Sequence, residues 1–216
     1  MQIKIGMALG AMCCCAATAE MVDVVGGQTN VLLDTDLIAK ATGLILEGAS
    51  EGVITPGNLG ANSVAFGITS PDSATLPTTF GYDTSDFFGT FSGTIEHRGA
   101  IFFGGSADVT LGNFTIAYDA SAGFQVIDNI DLGVALFDVD IKSADPLVDT
   151  FDVIGDLLIS DVFGQLLVDL GLSTNNLAGA DVGDAWVQGL NQVVPAPGAI
   201  GVFMVAGVAG RRRRRA

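Results

Sequence analysis

A mainly β fold is predicted for this chain: an antiparallel β-sandwich or partial barrel with one or two short helices, between an N-terminal signal peptide and a C-terminal transmembrane segment. Three observations predict it. Twenty-nine glycines punctuate short apolar or alternating runs, the pattern of many short strands. Turn signals recur every roughly 8 to 12 residues, as in sandwiches and barrels. The run Phe137-Asp138-Val139-Asp140-Ile141-Lys142 alternates apolar with charged residues, so one face is buried and the other meets water.

Taken in order, 100–103, 107–111, 114–118, 124–127 and 134–141 read as strands. Two helical turns interrupt them. Thr35 is placed to cap a helix carrying Leu37, Ile38 and Ala41 that stops near Gly43, and Asp161 to cap one carrying Val162, Phe163, Leu166, Leu167 and Leu170 that stops at Gly171. Residues 69–79, with Pro71 and Pro77, read as a loop. The tract 179–187 closes the sheet, and 189–194 reads as a linker. The body therefore spans 20–192, flanked by 1–19 and 193–216.

The ends differ from the body in charge. All 24 acidic residues fall between Glu20 and Asp184, while only Lys40, Arg98 and Lys142 are basic between 20 and 194, a net charge of -21 for that stretch. Nucleic acid is excluded as a partner, because phosphate binding needs clustered Lys and Arg.

Residues 1–19 place Lys4 before an apolar run and end on Ala17-Thr18-Ala19, the small-x-small spacing of a secretory signal peptide cut before Glu20. All three cysteines, Cys13 to Cys15, lie inside it, so the mature body has no disulfide and no thiolate metal site. At the other end come Val194, Pro195, Ala196, Pro197 and Gly198, an apolar span over 198–210, and the cluster Arg211, Arg212, Arg213, Arg214 and Arg215. As a helix that span reaches about 20 Å at ~1.5 Å per residue. Counted from Val193 it approaches the lower limit for crossing a bilayer. The arginines resist translocation and stay cytoplasmic, leaving the body outside.

This three-part arrangement resembles the C-terminal sorting signal of PEP-CTERM proteins, in a Pro-Ala-Pro-Gly variant where Ala196 stands in the usual Glu position. The resemblance implies secretion machinery, an exosortase-type sorting enzyme and the membrane as partners. It also implies a cell-envelope location, anchored by the C-terminus or released to the surface or matrix.

For chemistry the body offers little. One histidine and no mature cysteine exclude the usual zinc site, and the nucleophile elbow, dinucleotide-binding turn and P-loop are all absent. His97, between Glu96 and Arg98, reads as a surface histidine paired with its neighbours. Twenty Asp against four Glu stand out. Neighbouring pairs such as Asp138 and Asp140 share a strand face about 7 Å apart. With Asp145, Asp149 and Asp152 they form a candidate calcium site, and Asp128 with Asp131 a second, since calcium takes six to eight oxygens.

The expected function is that of a noncatalytic exported surface protein, processed as a PEP-CTERM-type substrate and lacking a cofactor unless calcium binds. A carbohydrate-binding or carbohydrate-cleaving module, with extracellular polysaccharide as partner, is the alternative, although Trp186 and two tyrosines make a sparse aromatic platform. A haem or metal carrier is the third reading.

Overall fold

The computed structural model describes residues 20–195. The elements, in chain order, are β1 (Met21–Leu33), α1 (Thr35–Thr42), β2 (Leu44–Ala49), β3 (Val64–Ile68), β4 (Gly81–Asp83), α2 (Phe87–Thr90), β5 (Ile95–Arg98) and β6 (Ala100–Gly105). They continue with β7 (Val109–Gly112), β8 (Thr115–Asp119), β9 (Gly123–Ile127), β10 (Ala135–Pro146), β11 (Thr150–Ile159), α3 (Asp161–Asp169) and β12 (Asp181–Val193).

Eight strands close into an antiparallel barrel. Its order is β12-β11-β10-β9-β8-β5-β3-β1, and β1 pairs back onto β12 from Val22 opposite Val193 to Leu33 opposite Gly183. The sandwich alternative is thereby corrected, because closure removes the two open edges a sandwich sheet would carry. β4 adds outside the ring against the start of β1, and β2-β6-β7 form a separate small sheet.

Alternation along each strand fills the barrel. In β11 the buried positions are Phe151, Val153, Gly155, Leu157 and Ile159, every second residue, as a pleat with one inward face requires. Phe66 and Phe114 meet edge to face inside, 4.9 Å between centroids. The register of β1 on β12 shifts between Val24 and Gly26. Just beyond, Gly27 adopts φ +114°, and a Cβ there would lie 2.1 Å from the Gln188 carbonyl oxygen. Only glycine lets the closing pair of strands approach at that point.

Several sequence expectations shift. The run 189–194 is no linker: all but Val194 belong to β12, because Asn191 pairs with Val24 and Val193 with Val22. The helices begin one residue from the expected caps. The Asp34 side chain accepts from the Leu37 amide at 2.9 Å, and the Ser160 hydroxyl from the Phe163 amide at 3.1 Å. Thr35 and Asp161 are the first helical residues instead, since a capping residue stands outside the helix whose amides it satisfies.

The registers sort the connections between the two barrel ends. At one end lie α1, β2, β6, β7 and α3. At the other lie β4, α2, the β8–β9 and β10–β11 turns, and both limits of the described chain, where the Val194 amide bonds to the Met21 carbonyl at 2.9 Å. Among the described residues no helix is long and apolar enough to cross a membrane. Ala17, Ala19, Ala196, Pro197, Gly198, the apolar span and Arg211 to Arg215 lie outside the described residues; Glu20, Val194 and Pro195 lie at their limits.

Candidate functional site

The end bearing α2 is dense in aromatic side chains. The Asp86 carboxylate caps α2 by accepting from the Gly89 amide at 3.1 Å, and that turn sets out Phe87, Phe88 and Phe91. Phe87 turns into the core beside Phe80 and Tyr82, whereas Phe88 is 66% exposed. Phe91 stacks on Phe80 at 6.1 Å and 16° between ring planes, and lies 4.9 Å from Phe124 and 5.0 Å from Tyr118. Tyr118 and Phe124 face each other across the β8–β9 pair, 5.2 Å apart and edge to face. Such pairs add about 0.5–1.5 kcal/mol each beyond the area they bury, so the cluster is a firm platform. Tyr118 stands on it 52% exposed.

The two tyrosines differ in what their hydroxyls can do. Tyr82 is fully buried; its hydroxyl donates to the Leu147 carbonyl at 3.1 Å and accepts from Asn191 Nδ2 at 2.7 Å. Burial pushes its phenol up to about 12, against the opposing bond from Asn191. Tyr118 has no side-chain hydrogen bond to another described residue, and its hydroxyl belongs to an exposed ring. Beside it the Ser121 hydroxyl and amide hold the Asp119 carboxyl below the ordinary range.

His97 is not a surface histidine. In β5 it alternates with Glu96 and points into the barrel, where it is 1% exposed. Its Nδ1 faces the Phe114 carbonyl oxygen at 3.0 Å and its Nε2 faces the Thr29 hydroxyl at 2.7 Å. A carbonyl can only accept, so Nδ1 carries the hydrogen and donates, and Nε2 accepts from Thr29. Burial drives the imidazole down to about 4, with the Phe114 carbonyl pulling weakly the other way. The ring is therefore neutral at pH 7, with both nitrogens engaged.

The calcium candidates do not come together. Asp138 accepts from Gln125 Nε2 at 2.7 Å, and Asp140 is paired at 2.6 Å with Lys142, which also holds Asp156 at 2.9 Å. Those two carboxylates raise the Lys142 amine above its ordinary value. Asp152 accepts from Trp186 Nε1 at 3.0 Å and lies across from Asp145 in the β10–β11 register, while Asp149 sits in the turn between those strands. Among the described residues no group of three or more His, Cys, Asp or Glu side chains is placed to hold a metal ion.

Asp128, the other candidate, has a different role. Fully buried, it accepts four backbone amides: Gly112 at 2.7 Å on Oδ1, and Asp131, Leu132 and Gly133 at 3.0, 2.8 and 3.4 Å on Oδ2. Its carboxylate is spent on fixing the 128–133 turn against β7.

The aromatic platform escaped the sequence reading, which weighed tryptophan and tyrosine alone. A signal was present: Phe80, Tyr82, Phe87, Phe88 and Phe91 fall within twelve residues.

No protein-family model matches the chain, and no curated protein matches it. The fold resembles solved structures. The C-terminal domain of HtaA from Corynebacterium glutamicum matches at TM-score 0.53 and 12% identity, covering 79% of this chain and 99% of that one. The heme binding protein HtaB from the same organism matches at TM-score 0.49 and 15% identity, covering 82% and 98%. At such identities the HtaA likeness shows the fold, a β-barrel with few short helices. The comparisons also correct two expectations. In place of a PEP-CTERM-type sorting substrate or carbohydrate module, with calcium or no cofactor, the likenesses are to the HtaA domain and to HtaB, a protein described as heme binding.

Proposed function

We propose that this chain is an exported binding protein that holds heme on the aromatic end of its barrel, with the Tyr118 hydroxyl as iron ligand. The observation that carries the reading is an accessible phenol on an apolar aromatic platform. The barrel shape held in common with the HtaA domain accords with it, and HtaB is described as heme binding. Export is supported by the leader-like residues 1–19.

The residues present decide where heme fits. Proteins hold heme iron through His, Cys, Met or Tyr. His97 is enclosed with both nitrogens occupied, and Tyr82 is enclosed with its phenol held protonated. The cavity beside His97 has a volume of ≈ 70 Å³, whereas pockets for drug-sized ligands start near ~300 Å³. The barrel interior does not fit heme. The platform does: Phe91 and Phe124 offer apolar faces against the exposed Tyr118 ring. Bound heme supplies an iron centre that accepts an oxygen ligand; the chain supplies that oxygen and an apolar face that sheds water. The body carries a net charge of -21, which would repel the anionic porphyrin, so added salt would strengthen binding.

Titrating hemin into the full chain and following the Soret band tests this. Saturable binding is expected, with Tyr118→Phe weakening it at least about tenfold, ~1.4 kcal/mol, and Tyr82→Phe leaving it intact. No saturable change, or a Tyr118→Phe protein that binds like the parent, refutes the proposal.

A further inference from the structure

The barrel interior is not completely filled. Two apolar cavities adjoin there: one of ≈ 70 Å³ inside the barrel, and one of ≈ 90 Å³ at its end beneath α1, α3 and the β2-β6-β7 sheet. Leu33, Ile101, Phe114 and Phe137 line both and so form the partition between them. Close-packed interiors leave few voids larger than a water molecule, and these two are stacked in one core.

Their walls give water nothing to bind. In the first cavity the polar side chains are Thr29 and His97, which satisfy each other and the Phe114 carbonyl. In the second the polar side chain is Thr42, whose hydroxyl donates to the Ile38 carbonyl at 2.8 Å and accepts from the Leu44 amide at 3.2 Å. A buried water needs two to four polar partners, and apolar cavities without them stay dry. No Asp, Glu, Lys or Arg lines either space, so an ion entering would lose its hydration without compensation.

The geometry points to the barrel interior, with the adjoining space beneath α1 and α3, as a binding site for a small, uncharged, apolar molecule. Each cavity alone suits an atom-sized guest such as xenon. The two together match the ~150 Å³ that holds benzene in an engineered cavity lined by Leu, Ile and Phe. A benzene-sized ring or short alkyl chain spans them once Phe114 or Phe137 rotates. Phe80, Phe87 and Phe124 line the first cavity from beneath the aromatic platform, but Tyr118 lines neither space.

Xenon and benzene are the probes, applied to the full chain. With xenon, methyl resonances of Leu33, Val153, Leu157 and Ile159 are expected to shift saturably while surface methyls stay still. Benzene is expected to raise the melting temperature with concentration, as a ligand selective for the folded state must. Leu157→Ala, which enlarges the first cavity, increases both effects; Ala185→Leu, which fills it, removes the shifts on that side. Tyr118→Phe leaves all of this unchanged, so heme binding and guest binding fail independently. Shifts confined to surface methyls, or core methyls that ignore xenon in both the parent and Leu157→Ala proteins, overturn the inference.

Discussion

The enclosed imidazole of His97 makes stability depend on pH in a calculable direction. Its ordinary value is 6.5, and burial lowers it to about 4 in the folded chain. Above pH 6.5 the ring is neutral whether the chain is folded or not, and it contributes no pH dependence. Between pH 6.5 and 4 the unfolded chain binds a proton that the folded chain refuses, so stability falls as pH falls. Below about 4 both states are protonated and the loss is complete. At ~1.36 kcal/mol per pK unit, the gap between 6.5 and about 4 corresponds to about 3 kcal/mol. The chain has one histidine, so its ring resonances need no assignment, and an NMR titration reads the folded value directly. Urea melts of the parent and His97→Gln proteins across the same window isolate the effect from the carboxylates, which titrate in both. The parent should lose about 3 kcal/mol more than the variant between pH 7 and 4. A folded-state imidazole titrating at 6.5 or above, or parallel stability curves for the two proteins, refutes the enclosed, neutral ring.

Two further substitutions probe how the barrel is held. Asp128→Ala strands four backbone amides, and with hydrogen bonds to a charged group at ~1.5–3 kcal/mol each, loss of two or more costs about 3–5 kcal/mol. Denaturant melts measure it, and a loss below about 1 kcal/mol contradicts the anchoring role. Gly27→Ala puts a Cβ 2.1 Å from the Gln188 oxygen at φ +114°; it should cost about 2 kcal/mol or more. Amide exchange should then accelerate first along the β1–β12 seam, and unchanged protection there would show that the glycine is dispensable.

How far the sequence reached depends on the range of the interactions involved. The β class, the short helices near 35 and 161, and the strands around 114–118 and 124–127 follow from local alternation and turn residues, and the structure has them. The helix caps fell one position away, on Asp34 and Ser160, because several neighbouring polar residues can cap and only the backbone path selects one. Long strands with interior glycines, β1 through Gly26 and Gly27 and β11 through Gly155, were hidden because glycine also signals a turn.

What the sequence by itself determined was composition-borne: an acidic body without cysteine, basic and apolar ends, and a β-strand period. Burial and pairing across the chain decided the rest. Whether His97 faced water or core turned on the inward phase of β5, which a one-residue register change would reverse. Closure into a barrel depended on β1 meeting β12, whose paired residues lie at least 150 positions apart, a contact no local pattern records. The Tyr118 platform likewise joins residues at and just past α2 to residues of the paired strands β8 and β9, and the candidate calcium aspartates were dispersed to separate partners by the same strand registers. Side-chain chemistry is written residue by residue, but which groups share a space is set only when the strands pair.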